Sequence, residues 1–295
     1  MKILIIINNK AGSSNLMNDE FSDIGITNIF KKLKIEAEIF RVEGKDIIKT
    51  VKSNLNKNFE VIAAAGGDGT ISAVAEALFE NETPLGVIPF GTLNHFAKDL
   101  NIPLTLEEAA KIISKNKIVK IDVAEVNGRK FINNSSIGLY PKIVKKRKES
   151  EKLGGSKWTA MGLAFANIFS RFPLLKVIVQ SNGESSNCKT PYVFIGNNEY
   201  STDFLNVGSR ESINKGTLSV YFPNNSSRLS MLRFALNGLL NRLDQQKDFT
   251  IILTKKLLIK IKKKKIDVSL DGEVVKLETP LEYKIHPKKL NVIVP

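Results

Sequence analysis

Four stretches of this sequence hold residue types whose order and spacing could do chemistry. The first is Gly66-Gly67-Asp68-Gly69-Thr70, with Ser72 just behind it. It follows the apolar run Val61–Ala65 and precedes Ile71, Val74, Ala75 and Leu78, which recur at helical spacing. A glycine turn from strand to helix can bring bare backbone N–H groups against a phosphate, with the positive helix end behind them. Glycine supplies the close approach and positive φ that such a cradle uses, and the same composition also serves a plain tight joint. Asp68 inside the turn can orient a ribose, an amide or a metal-bound water. No Gly-Lys-Ser/Thr follows, so this is not a P-loop, and the spacing is not the Gly-x-Gly-x-x-Gly of dinucleotide folds.

The second stretch, Pro89-Phe90-Gly91-Thr92-Leu93-Asn94, follows the run Leu85–Ile88 and opens a helix. Thr92 and Asn94 are short polar residues suited to a triphosphate tail or to ordinary N-capping. His95, one of two histidines, has no carboxylate neighbour in the motif and is not assigned a catalytic role. The third, Asn8-Asn9-Lys10-Ala11-Gly12, follows the first apolar run Ile3–Ile7. The fourth, Leu270-Asp271-Gly272-Glu273, reads either as a hairpin turn or as a turn-held carboxylate that accepts a proton from an attacking hydroxyl.

The elements needed to position these stretches fall into two halves. Strand patterns at Ile3–Ile7, Ala37–Val42, Val61–Ala65, Leu85–Ile88 and Val119–Val123 alternate with amphipathic segments around Asp19–Lys34, Asp46–Asn56, Ile71–Leu78 and Leu106–Ser114. That alternation predicts a parallel sheet with helices on both faces and ligands beyond the carboxyl ends of its strands. The three N-terminal stretches would then meet in one crevice. From about residue 124 the pattern turns to short β runs: Ala124–Val126, Arg129–Asn133, Leu175–Gln180, Tyr192–Gly196, Leu218–Phe222, Phe249–Thr254, Leu257–Ile261, Ile266–Leu270 and Tyr283–Ile285. Asn-Gly and Asp-Gly pairs separate many of them, as in an antiparallel sandwich. Apolar helical segments at Trp158–Phe169 and Leu229–Leu243 interrupt it. The expected division is 1–124, with 286–295 returning, and 125–285.

The chain has 295 residues, enough to bury a substantial core in two domains. Lysine and arginine total 44 against 30 aspartates and glutamates, a net charge of +14. That excess suits polyanionic partners such as nucleic acid, anionic lipid or phosphorylated small molecules, and a generally lysine-rich composition would produce it too. The single cysteine, Cys188, excludes an internal disulfide and suits a reducing cytoplasm. The N-terminal apolar run is too short for a secretory signal, and no stretch reaches the roughly 18 apolar residues of a membrane span. The expected location is cytoplasmic, with peripheral contact at an anionic membrane through the basic clusters 141–152 and 254–265 and acyl-chain contact along Trp158–Phe169. Solvated faces or ordinary core are the plainer reading of the same segments.

Taken together, NNKAG (8–12), GGDGTISAVAEAL (66–78), PFGTLNHFAKDLNIP (89–103), FINNSSIGLYP (131–141) and LDGE (270–273) resemble the diacylglycerol kinase catalytic-domain family of soluble lipid kinases. The resemblance implies an N-terminal α/β nucleotide domain similar to that of NAD kinases and phosphofructokinases, and a C-terminal β-sandwich carrying the acceptor site. It implies ATP and Mg²⁺ as cofactors and a membrane lipid as phosphoryl acceptor, with no nucleic-acid partner. Asn8, Asn9, Gly12, Gly66, Gly67, Asp68, Gly69, Thr70, Ser72, Gly91, Thr92 and Asn94 are the implied ATP contacts. Asp271 is the implied general base, with Glu273 its neighbour. Many bacterial members carry Asp-Asp-Gly and a structural magnesium where this chain has Asn214-Lys215-Gly216, so no structural metal site is assigned. The alternatives are an NAD-kinase-like enzyme with a soluble substrate, and a non-catalytic nucleotide-gated membrane-binding protein.

Overall fold

A computed structural model describes residues 1–9, 22–139, 141, 174–200, 210, 212–223 and 249–295. The N-terminal half alternates β1 (Lys2–Asn8), α1 (Asp23–Lys32), β2 (Glu36–Val42), α2 (Ile47–Asn54), β3 (Val61–Gly66), α3 (Asp68–Ala77), β4 (Leu85–Pro89), α4 (His95–Asp99) and α5 (Leu106–Lys115). Strands β2, β1, β3 and β4 lie side by side in that order, all parallel. The unbroken apolar runs of β1, β3 and β4 reflect burial on both faces, whereas edge strand β2 is half-exposed and carries charges. Ile3, Ile5 and Ile7 pack with Ile26 and Phe30 of α1 and Leu106 of α5. Leu4 and Ile6 point the other way, onto Ile47 and Val51 of α2 and Ile71 and Val74 of α3.

The second half contains β5 (Ile118–Val126), β6 (Arg129–Phe131), β7 (Asn134–Gly138), β8 (Leu175–Ser181), β9 (Glu184–Thr190), β10 (Tyr192–Asn197), β11 (Leu218–Pro223), β12 (Phe249–Thr254), β13 (Lys256–Ile261), β14 (Lys265–Leu270), β15 (Glu273–Glu278) and β16 (Leu281–Ile293). One antiparallel sheet runs β12-β11-β10-β7-β14-β15. A second layer, β16-β13-β8-β9, continues from β4 in the same sheet as the parallel strands. Val177, Val179, Leu257, Ile259 and Tyr283 of that layer share a core with Ile137, Val193, Ile195, Val220 and Val268 of the antiparallel sheet. The C-terminal half is therefore a sandwich.

Strand β16 joins the two halves. Its first residues pair with β13, its length pairs antiparallel with β5, and Val292 lies parallel beside Leu85 of β4. A register shift between His286 and Leu290 lets one strand serve both regions. The expected division at 124/125 falls within β5, and that at 285/286 just before the shift in β16. Three strands escape the apolar pattern: β7, which reads NSSIG, edge strand β9, whose residues are mostly exposed polar ones, and β15, where exposed charges flank half-buried Val274, Val275 and Leu277. The expected run Arg129–Asn133 breaks at Ile132 and Asn133, whose N–H groups leave the ladder for a carboxylate described below. The segments Trp158–Phe169 and Leu229–Leu243 lie outside the described residues.

Candidate active site

The glycine stretch sits where β3 ends and α3 begins. The helix starts at Asp68, so Asp68, Gly69 and Thr70 form its first turn. Gly67 is the N-cap and has no side chain to bond the first-turn N–H groups. The expected positive φ is not found: Gly67 is extended at φ −83°, and the glycines with positive φ are Gly128, Gly138, Gly183, Gly216 and Gly272. Packing explains the composition instead. A Cβ on Gly66 would stand 2.6 Å from Thr70 Oγ1, and one on Gly91 would stand 2.6 Å from Gly67 Cα. Gly91 and Gly67 bring the two loops backbone to backbone, which a larger residue at Gly91 would prevent, whereas a side chain at Gly66 would strike Thr70 of its own stretch.

The second loop is fastened to the first. The Phe90 N–H donates to the Gly66 carbonyl (2.9 Å), and Phe96 N–H donates to Asp68 Oδ1 (3.1 Å). Asn94 adopts φ 51° and is buried; its Oδ1 accepts from Gly91 N–H (2.9 Å) and its Nδ2 donates to the Gly91 carbonyl (2.8 Å). Both of its polar atoms thus close the loop itself. Thr92 is exposed on the same loop. Asn8 Nδ2 donates to Thr70 Oγ1 over 3.4 Å, placing the end of β1 beside α3. Asn9 is exposed and bonds Val42 through its backbone, and Gly12 lies outside the described residues. His95 stands one helical turn before Asp99 and acts on that carboxylate electrostatically.

Asp271 comes to this place from the other half. It sits at the β14–β15 hairpin with φ 46°, a left-handed conformation that Asp and Asn tolerate better than other side chains. Ser72 Oγ donates to Asp271 Oδ2 at 2.6 Å, although 199 positions separate the two in sequence. The Ile132 N–H also donates to Oδ2 (2.8 Å), and the Asn133 and Asn134 N–H groups donate to Oδ1 (2.8 and 2.9 Å). The carboxylate is 7% exposed. Burial pushes its pKa above the ordinary aspartate range, while the Ser72 hydroxyl and the three backbone donors pull against it. Glu273 follows at the start of β15, and its Oε1 lies 3.0 Å from where a Gly69 Cβ would be. The Ser72 hydroxyl, two carboxylates and an uncapped helix start therefore share one locus.

Sequence reasoning missed the support behind Asp271. Arg210 and Asp99 form a buried ion pair (2.6 Å), and Arg210 also bonds the Ile132 and Asn197 carbonyls and Asn133 Oδ1. No motif surrounds Arg210, so no local signal points to it. Where a structural metal was left unassigned, the Gly216 N–H donates to Asp122 Oδ2 (2.6 Å) and Lys215 pairs with Glu199 (3.9 Å). Among the described residues no three His, Cys, Asp or Glu side chains cluster to hold a metal. A cleft of about 860 Å³ along β5, β8, β13 and β16 includes none of the expected site residues.

Residues 2–126 match the family model described as the diacylglycerol kinase catalytic domain. Over those residues, fewer than half of the 295, the chain is similar to that family. A protein named "Probable lipid kinase YegS-like", from Klebsiella pneumoniae (strain 342), is 34% identical over 172 residues, 54% of each chain. A protein named "Diacylglycerol kinase", from Staphylococcus saprophyticus, is 31% identical over 136 residues, 45% of this chain and 44% of that one. The matched region thus spans about half the length of these curated relatives. A solved diacylglycerol kinase structure from Bacillus anthracis str. Sterne superposes with a TM-score of 0.73 at 25% identity, covering 100% of this chain and 97% of that one. No helix among the described residues is long and apolar enough to cross a membrane.

Proposed function

We propose that this chain transfers the γ-phosphoryl group of ATP, with Mg²⁺, to a hydroxyl of a membrane lipid, with diacylglycerol or a related lipid as acceptor. The observation that carries the reading is the 2.6 Å bond between Ser72 and Asp271, which seats a turn-held carboxylate on the helix behind the glycine joint. In this reading residues 1–124 with 286–295 hold ATP, and 125–285 hold the acceptor.

The residues present fit these groups. The uncapped first turn of α3 leaves N–H donors and a positive helix end for phosphate oxygens. A phosphate there would lie beside Glu273, which borders Gly69, and two anions side by side need a cation between them. Mg²⁺ supplies that charge through one or two carboxylates while keeping several waters.

Asp271 has every acceptor direction filled, so its partner hydroxyl must be exchangeable. Three of its donors are backbone N–H groups fixed by the fold, whereas the Ser72 hydroxyl can turn away. The lipid hydroxyl takes that place at Oδ2 and gives up its proton there as its oxygen attacks phosphorus. Burial, which raises the Asp271 pKa, makes the carboxylate a better proton acceptor. Contact with the membrane fits the outer face of β8 and β13, where Lys176, Lys256, Lys260 and Lys262 are exposed around the 37% exposed Ile178. Each lysine near an anionic surface contributes about 1 kcal/mol.

The test is transfer of labelled γ-phosphate to mixed micelles of diacylglycerol, phosphatidylglycerol, sphingosine or ceramide, with NAD as soluble control. Asp271→Asn keeps the left-handed turn and removes the basic oxygen, and its rate should fall about 10²–10⁴-fold. Transfer to NAD alone, or an undiminished Asn variant, would overturn the proposal.

A further inference from the structure

The segment that holds Asp271 is itself held by an ion pair between Asp99, within the stretch 89–103, and Arg210, which lies outside every motif. Arg210 Nε donates to Asp99 Oδ2 at 2.6 Å, with the two side chains 0% and 2% exposed. Arg210 Nη1 donates to the Ile132 carbonyl (2.6 Å) and to the Asn197 carbonyl (3.3 Å), and Nη2 donates to Asn133 Oδ1 (3.2 Å). Asn197 Nδ2 is a second donor to the Ile132 carbonyl (2.8 Å).

The Ile132 carbonyl and the Asn133 N–H belong to one planar peptide group. That N–H donates to Asp271 Oδ1 at 2.8 Å. A single amide thus carries a guanidinium on its oxygen and the Asp271 carboxylate on its hydrogen. Donors on a carbonyl polarise the amide and strengthen the bond its N–H makes, by about 10–30% per bond in condensed phase.

A buried ion pair is weak evidence of a stabilising role, because removing two charges from water offsets their attraction. Burial raises the Asp99 carboxyl pKa even with Arg210 against it, and Asp99 Oδ1 has no partner. The pair is therefore better explained by what the remaining donors of Arg210 hold than by the pair alone. Lysine could meet Asp99, but it lacks the planar fork that reaches Asp99, Ile132 and Asn133 together.

We propose that Arg210, anchored by Asp99, is a positioning residue for phosphoryl transfer: it fixes and polarises the Ile132–Asn133 peptide that donates to Asp271. The functional half rests on the phosphoryl-transfer reading above, while the relay through the peptide does not. Among the described residues, Tyr200, which burial keeps protonated, interacts electrostatically with Asp271, and Glu273 stands two positions further along the same turn. Ser72 faces it from α3.

Two variants test the relay. Arg210→Lys keeps a cation against Asp99 and loses the fork. The double change Asp99→Leu with Arg210→Met removes both charges, so neither is left buried alone. In the folded full chain, the Asn133 amide proton is followed by NMR and the Asp271 carboxyl is titrated by carbon-13 label. Both variants should shift the Asn133 proton upfield and raise the Asp271 midpoint. In the transfer assay kcat should fall several-fold to about 10²-fold with KM little changed, as expected for a displaced catalytic group. Its acid limb should move with the NMR midpoint. Folded variants with an unmoved amide and midpoint would overturn the relay, as would a kcat loss without either shift. Wild-type protein that transfers nothing would refute the positioning role and the phosphoryl-transfer reading, while the NMR arm still decides the peptide relay.

Discussion

Ser72→Ala distinguishes a hydroxyl that keeps the acceptor's place from one that passes its proton. The bond to Asp271 is short, at 2.6 Å, and ends on a buried carboxylate. A hydrogen bond to a charged group contributes about 1.5–3 kcal/mol net. Asp271 keeps three backbone donors in the variant, so the turn should hold while stability falls by that amount. For a chain this long the midpoint of thermal unfolding should drop by about 3–12 °C. The same energy opposes the acceptor in the wild type, whose hydroxyl must displace Ser72 to reach Oδ2. Alanine removes the competitor, so KM for the lipid should fall, by about tenfold for each 1.4 kcal/mol recovered. The kcat value should stay within a few-fold of wild type. Loss of a donor also pushes the Asp271 pKa further up, so the activity, which needs the ionised base, should be lost at a higher pH on acidification. Steady-state transfer over a range of lipid concentrations and pH reads all of this. A kcat loss of about 10²-fold or more at unchanged KM would refute the place-keeping argument and make Ser72 a proton carrier.

Gly91→Ala puts a Cβ 2.6 Å from Gly67 Cα and 2.7 Å from Asn94 Oδ1, so the two loops must part. Overpacking of this kind costs about 1–3 kcal/mol, and urea unfolding of the variant should show it; an unchanged midpoint would mean the loops are not held in contact. Glu125 gives a pH signature. Burial alone would raise its pKa, but hydrogen bonds from Lys130, Lys284 and His286 together hold it at about 2 against an ordinary 4.5. A depressed carboxyl stabilises the fold above its unfolded value and loses that contribution as pH falls toward 2. The stability difference between wild type and Glu125→Gln should therefore be level near neutrality and shrink between about pH 4.5 and 2. A difference that does not change with pH would refute the assignment.

The sequence by itself determined most of the elements and a resemblance to one family over residues 2–126. Strands β1, β3 and β4 were legible because burial on both faces demands unbroken apolar runs, and α2 and α5 because one apolar face repeats at helical spacing. Polar edge strand β9 was not, since an edge that buries little leaves no pattern. The candidate residues of the glycine stretch and of the Asp271 turn were also legible, but their partners were not. Gly66, Gly67 and Gly91 looked like a ligand cradle, and the structure shows packing that already favours small residues there: loop against loop at Gly67 and Gly91, and against Thr70 at Gly66. Asn94 looked free to bind, yet it closes its own loop. Only the tertiary structure decided that Ser72 meets Asp271, that Glu273 meets Gly69, and that Arg210 reaches the Ile132 peptide. Periodicity is a local property imposed by burial, so it is written into neighbouring residues. Contacts between positions separated by 78 or 199 residues depend on how sheets cross and pack, and no local spacing records them.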